Sequence, residues 1–370
     1  MGQWVRSEGE PALRVQRAKS GFSVRVHPAM TFKVSVQPSN RQFSVDRDEP
    51  VLAAALRQGI GLPYGCRDGA CGSCKCRLIE GRVIHGAHQA RALSAAEEDA
   101  GWMLSCCAAP QTDLVIEART VAGVGDFPAR KMPARVMSLE RPAPDVAIVR
   151  LQLPANDALR YRAGQFIEVL LANGARRSYS MANAPEALGN PPAIELHIRH
   201  LPGGLFSDAV FHTMKPKDIL RIEGPLGTFF LREESARPVL LLAAGTGFAP
   251  IKAIVEHMRL RGITRPTWLY WGCRREVDLY LHDWAVAAAA ELPWLRYVPV
   301  LSEAGEADGW GGRTGLVHQA AMADLPDLAA HEVYACGAPA MIDAARRDYA
   351  ARGLPEDAFF ADAFTTAAAA

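Results

Sequence analysis

Tyr64–Cys76 reads YGCRDGACGSCKC, and Leu104–Cys107 reads LSCC. Cys66, Cys71 and Cys74 fall in a C-x4-C-x2-C spacing, and Cys106 supplies a distant fourth cysteine. That is the spacing of four thiolates around a [2Fe–2S] cluster, a one-electron centre. Gly65, Gly69 and Gly72 interleave the first three cysteines. Glycine tolerates positive φ and lets backbone N–H groups approach the sulfur atoms, where hydrogen bonds tune the reduction potential. A four-cysteine structural zinc site is the plainer rival, but it ordinarily offers two short Cys pairs, whereas the second half here is the adjacent pair Cys106-Cys107. A Rieske centre needs two histidine ligands on one iron, and His85 and His88 lack cysteine partners at matching spacing.

Working outward, 370 residues are too many for one ordinary core and predict two or three domains. A formal net charge of +1 argues against nucleic acid as the partner. Six of the eight cysteines lie between positions 66 and 107, while Cys273 and Cys336 stand alone, so a reducing cytoplasm explains them better than a disulfide set. The alanine-rich run AVAAAA is far too short to span a bilayer, and no membrane segment is expected. Residues 1–29 mix arginines with Glu8 and Glu10 and have no apolar h-region. They read as a disordered tail or a misassigned start ahead of Met30, and the terminal AAAA reads as a frayed end.

From Met30 the chain predicts a hairpin (TFKVSVQ, RQFSVDR), a helix from Asp48 to Gly59, the cysteine loop and the strand CRLIEGRV. A short helix capped by Ser94 and Glu97 follows, then the fourth ligand and a closing strand, DLVIEART. This order is that of a β-grasp ferredoxin, placed at residues 30–122. VAGVGDFPARKMP reads as a semi-flexible linker, bounded at 123–133. Six short β-like runs between 134 and 234 predict a small antiparallel barrel. From 235 to 370, apolar strands alternating with helical stretches predict a parallel α/β domain.

Two further constellations sit in these domains. In the barrel, Arg177-Ser178-Tyr179-Ser180 offers a planar fork for a pyrophosphate, a stacking face for a flavin ring and a hydroxyl for a ring nitrogen. Gly203, Gly204 and Ser207 open the next helix, where exposed N–H groups bind anions. Taken alone, RSYS is a string that arises by chance, and GGLFS serves equally as a capped loop. In the α/β domain, AAGTGFAP joins a strand to a helix and brings Gly245, Thr246 and Gly247 to a phosphate, although a tight turn needs glycine in any case. No acid follows the next strand, TWLYWG; Arg274 and Arg275 stand there as 2′-phosphate partners or as a solvated turn. Cys336, in YACGAPAM, sits at a strand end where such domains bind ligands, and a core cysteine is the bland alternative.

The cysteine set, RxYS, GGxxS, GTGxAP, CGxPxM and the C-terminal FFADAF occur in one order across nearly the whole chain. Together they resemble the ferredoxin–NAD(P)H reductase superfamily in its arrangement with an N-terminal plant-type ferredoxin. Within it the chain is most similar to CDP-6-deoxy-delta-3,4-glucoseen reductases, and less so to reductase components of phenol and toluene monooxygenases. The resemblance implies FAD in the barrel, with Arg177 on the pyrophosphate, Tyr179 on the isoalloxazine, Ser180 near its reacting N5 and Gly203, Gly204 and Ser207 on the phosphates. It implies that Gly245, Thr246 and Gly247 meet NADH or NADPH, with NADH favoured, and that Cys336 lies beside the nicotinamide. Asp362-Ala363-Phe364 matches the family's acid-x-aromatic ending but uses Asp and Phe and continues past Phe364. The family's L-x-C motif selects Cys106 over Cys107 as the fourth ligand.

The expected protein is thus an NAD(P)H-dependent oxidoreductase. Electrons pass through FAD to the cluster and on to a protein acceptor, the dehydrase of a deoxysugar pathway or, as the alternative, an oxygenase component. A non-catalytic redox sensor is the reading from another class. Arg67 and Asp68, in the cluster loop, are expected on the docking surface for the acceptor.

Overall fold

The computed structural model describes residues 30–365 except 125, 157–158 and 306–308; the expectations for residues 1–29 and for the terminal alanines lie outside this range. The chain begins with the expected hairpin, β1 (Thr31–Gln37) and β2 (Arg41–Asp46). Then come α1 (Val51–Arg57), β3 (Lys75–Glu80), β4 (Val83–His85), α2 (Ala95–Asp99), β5 (Trp102–Leu104), β6 (Ala108–Pro110) and β7 (Leu114–Glu117). Five strands form a mixed sheet in the order β2-β1-β7-β3-β5, with β1 and β7 parallel, and β4 pairs with β6 apart from it. Val34, Val36, Phe43 and Val45 alternate inward and share a core with Leu52 and Ala55 of α1. Ser94 and Glu97 make both bonds of the capping box on α2. Asp48 does not cap α1: Pro50 stands at the N-cap, and Glu49 pairs with Arg57 at 2.7 Å.

The stretch read as a semi-flexible linker is held at several points. Val121 N–H donates to the Gly61 carbonyl at 2.8 Å, Val124 packs on the first core, and Asp126 pairs with Arg162 at 2.8 Å. The next strand, β8 (Arg130–Ala143), starts inside that stretch. It is followed by β9 (Val146–Gln152), β10 (Phe166–Leu170), β11 (Arg176–Ser180), β12 (Ala193–Arg199), the helix α3 (Ser207–His212) and β13 (Ile219–Leu226). The strands run antiparallel in the order β11-β10-β13-β8-β9-β12. A bridge between Met181 and Leu196 joins the two outer strands and closes the barrel.

The last part alternates strand and helix: β14 (Val239–Ala244), α4 (Phe248–Arg261), β15 (Thr267–Cys273), α5 (His282–Glu291), β16 (Leu295–Leu301), β17 (Arg313–Thr314), α6 (Val317–Asp324), β18 (Glu332–Gly337), α7 (Pro339–Ala350) and β19 (Phe359–Ala363). All six strands are parallel, in the order β17-β16-β15-β14-β18-β19. Both faces are covered, which is why VLLLAA is apolar throughout: Leu240 and Leu242 enter one core, Val239, Leu241 and Ala243 the other. The second of these cores runs on into the barrel through Ala143, Val146, Phe229 and Leu231. All eight cysteines are free. Among the described residues no helix is long and apolar enough to cross a membrane.

Candidate functional site

The cysteine loop leaves α1 and returns into β3, and Cys66 and Cys71 face one another across a tight turn. Cys66 N–H donates to Cys71 Sγ at 3.4 Å, Cys71 N–H to Cys66 Sγ at 3.3 Å and Ser73 N–H to Cys71 Sγ at 3.4 Å. The side-chain hydrogen bond with Cys66 and those from Ser73 hold the Cys71 thiol below its ordinary value despite burial. Cys74 is hydrogen-bonded to Cys106, whose thiol is held down by Cys107 first and Cys74 second. The sulfurs therefore form two pairs, Cys66 with Cys71 and Cys74 with Cys106, an arrangement that fits four ligands to a binuclear cluster. Gly69 has φ +76°, and a Cβ there would meet His88 Cβ at 2.7 Å and the Ala87 carbonyl at 2.8 Å. Only glycine lets the loop pass so close. Cys76 faces the core with its thiol pushed up to about 12 by burial. Cys107 is only partly buried, and its Sγ donates to the Leu104 carbonyl at 3.8 Å.

Beside this loop, β11, β18 and β19 bring Ser180, Cys336 and Asp362 together. Cys336 and Asp362 are register partners on neighbouring strands, and Ser180 Oγ donates to Asp362 Oδ2 at 3.4 Å. A Cβ built on Gly65 would lie 3.3 Å from Cys71 Sγ and 3.7 Å from Asp362 Oδ1, so the first and last domains meet there and Ser180 of the barrel joins them through Asp362. Burial, the neighbouring Cys71 second, raises the Asp362 carboxyl to about 7 although the Ser180 hydrogen bond opposes it. The Cys336 thiol is fully buried, and desolvation with the Asp362 charge keeps it protonated.

On the barrel, Tyr179 packs against Phe206 with ring centroids 5.4 Å apart, and burial raises its phenol to about 12. Arg177 donates to the Arg176 carbonyl, and among the described residues no carboxylate pairs with it, which suits a fork meant for a pyrophosphate. The Gly203–Ser207 turn closes on itself. Gly203 N–H donates to Asp208 Oδ2 at 3.0 Å, and Ser207 Oγ donates to the Leu201 carbonyl at 3.0 Å. Within the chain, the Gly203 N–H and the Ser207 hydroxyl are thus already engaged, while the Arg177 fork and the Tyr179 ring face fit FAD.

Gly245, Thr246 and Gly247 form a single turn between β14 and α4. A Cβ on Gly247 would strike the Cys336 carbonyl, so the turn presses against the strand end that carries Cys336. Arg274 and Arg275 follow β15 and are exposed. Phe364 lies past β19, 37% exposed, with its N–H on the Gly337 carbonyl at 2.9 Å. Sequence reading missed Arg199. Its guanidinium reaches over the GTG turn from the end of β12, 3.3 Å from where a Gly245 Cβ would be, and pairs with Asp145 at 3.1 Å. Nothing in HIRH marks that reach. Of the two residues expected on the docking surface, Arg67 pairs with Glu168 of the barrel at 2.7 Å and is only partly exposed, whereas Asp68 is exposed.

The four-cysteine loop on a β-grasp sheet, the closed barrel and the parallel α/β lobe define an iron–sulfur flavoprotein oxidoreductase. Residues 34–111 match the 2Fe-2S iron-sulfur cluster binding domain, 133–231 the oxidoreductase FAD-binding domain and 241–347 the oxidoreductase NAD-binding domain. The chain is 41% identical over 340 residues to the CDP-6-deoxy-L-threo-D-glycero-4-hexulose-3-dehydrase reductase of Yersinia pseudotuberculosis, covering 90% of this chain and 99% of that one. It is 35% identical to terephthalate 1,2-dioxygenase reductase component 2 of Comamonas, over 91% and 98% of the two chains. The crystal structure of the Amycolatopsis cytochrome P450 reductase GcoB superposes with a TM-score of 0.74 at 33% identity, covering 91% of this chain and all of that one. The chain belongs to the ferredoxin–NAD(P)H reductase family in its form with an N-terminal [2Fe–2S] domain. Its cofactors are the [2Fe–2S] cluster, FAD and NAD(H).

Proposed function

We propose that this reductase serves a dehydrase acting on a CDP-6-deoxyhexulose, the partner named for the relative at 41% identity, with the oxygenase reductases at 35% and below as the second reading. The observation that carries the internal route is the meeting of Ser180, Asp362 and Cys71 around Gly65. When bound, FAD takes a hydride from NAD(P)H and yields electrons one at a time, as a [2Fe–2S] cluster requires.

The chain's own residues supply position and electrostatics. Cys66, Cys71, Cys74 and Cys106 hold the cluster. Arg177 binds the flavin pyrophosphate, Tyr179 gives the ring a face, and Gly203, Gly204 and Ser207 line its phosphates. Gly245, Thr246 and Gly247 bring backbone N–H groups to the dinucleotide, Arg199 adds a charge across the domain junction, and Arg274 stands at the adenosine end. Cys336 would stand beside the nicotinamide, and Phe364 would shield the flavin. With its carboxyl at about 7, Asp362 holds or releases a proton at Oδ2 next to Ser180 Oγ near neutral pH. The test is reconstitution: NADH oxidation should couple to reduction of substrate on a purified CDP-6-deoxyhexulose 3-dehydrase. Coupling only to an oxygenase component would overturn the dehydrase assignment in favour of the second reading.

A further inference from the structure

Glu168 is out of place for a strand carboxylate. It lies in the middle of β10 with its side chain only 5% exposed, between Arg176 at 2.6 Å and Arg67 at 2.7 Å. Arg176 belongs to the neighbouring strand and also reaches Glu223 at 2.9 Å. Arg67 comes from the first domain, between the ligands Cys66 and Cys71, and its φ of +65° is a region that side-chain-bearing residues avoid. Its backbone is held there by its surroundings. On the other side of Cys66, Tyr64 is fastened to Thr228 of the barrel. Tyr64 N–H donates to Thr228 Oγ1 at 3.0 Å, and Thr228 Oγ1 and N–H donate to the Tyr64 carbonyl at 3.0 and 3.3 Å. The barrel thus grips the chain at 64 and 67, bracketing the first cluster ligand.

We infer that Glu168 and Thr228 are positioning residues which clamp the Cys66–Cys71 end of the cluster loop onto the flavin barrel and thereby set the rate of electron passage within the chain. The inference rests on the reductase reading. Each hydride from NADH brings two electrons, which cross this junction singly. The pair Cys66–Cys71 is the one beside Asp362 and Ser180, so the clamp holds the end of the loop that faces the flavin site. Because Glu168 is buried, salt screens the pair weakly, and the clamp persists at ionic strengths that release exposed pairs.

Arg67→Gly tests this without harm to the barrel, since glycine accepts the positive φ while the whole side chain that reaches Glu168 is lost. Glu168→Gln removes the charge from the other side, and Arg67→Lys keeps it. In the fully loaded protein, two readouts are compared: hydrogen exchange of the 60–70 segment, and the rate of cluster bleaching after NADH has reduced the flavin. Arg67→Gly and Glu168→Gln should each quicken exchange and slow cluster bleaching about ten-fold, with Arg67→Lys close to wild type. Exchange and bleaching unchanged in Arg67→Gly and Glu168→Gln would overturn the clamp. A wild-type flavin that NADH does not reduce would sink the reductase reading instead, and the exchange comparison would still decide the clamp.

Discussion

Cys336 is buried at the end of β18, with Asp362 beside it and the Gly247 turn against its carbonyl. The proposed role is to shape a wall beside the nicotinamide. Cys336→Ala should slow flavin reduction by NADH about ten-fold, the scale of a positioning defect, while FAD stays bound. Stopped-flow measurement would return Cys336 to an ordinary core role if the rate did not change. Gly247 makes the companion case. A Cβ there meets backbone on β18, which cannot swing aside, so Gly247→Ala should cost about 1–3 kcal/mol of stability and weaken NADH binding. Calorimetric titration with NAD+ and a melting curve check both, and full affinity in the variant would refute the close approach.

At the scale of elements, β12 and α4 are tied by a buried polar network. Glu195 accepts from His197 at 3.0 Å, pairs with Lys252 of α4 at 3.2 Å and with Arg150 at 2.8 Å, while His197 also bonds Tyr280 at 2.8 Å. Burial alone would raise the Glu195 carboxyl, but His197, Lys252 and Arg150 outweigh it and bring it to about 2. A carboxyl lowered on folding binds fewer protons in the native state. Its contribution is therefore complete above about 4.5 and is lost as pH falls from there towards 2. Glu195→Gln should cost about 3 kcal/mol at neutral pH, because Lys252 then keeps only one carboxylate, Glu256, beside the Ala182 carbonyl. The variant should also lose less stability than wild type between pH 5 and pH 3, read from unfolding midpoints. Parallel pH profiles would contradict the assignment. The elements themselves were legible in the sequence: the capping box at Ser94, the alternating hairpin and the apolar VLLLAA strand each follow from local chemistry. Asp48 was misleading because two residues, Asp48 and Pro50, compete to begin α1, and the proline occupies the cap.

At the scale of the whole molecule, the domain order and the three cofactor motifs could be read along the chain, whereas the contacts between domains could not. Arg67 and Glu168 are 101 positions apart, Tyr64 and Thr228 are 164, and Ser180 and Asp362 are 182. In FIEVL, nothing marks Glu168 as buried, yet in the fold it lies between Arg176 of the barrel and Arg67 of the first domain. Arg199 likewise gains its role from a turn in another domain. Cluster and flavin ligands nevertheless lie in separate modules, so each chemistry should be separable by a single substitution. Cys71→Ser removes one ligand of the cluster and leaves the RSYS and GTG sites intact.

The most direct measurement mixes NADH with Cys71→Ser and with wild-type protein separately and follows flavin absorbance, cluster absorbance and reduction of an added cytochrome as one-electron acceptor. Flavin bleaching should run at the same rate in both, with cluster bleaching and acceptor reduction in wild type only. Acceptor reduction by Cys71→Ser as fast as by wild type would contradict it, because electrons would then leave the chain without passing through the cysteine loop.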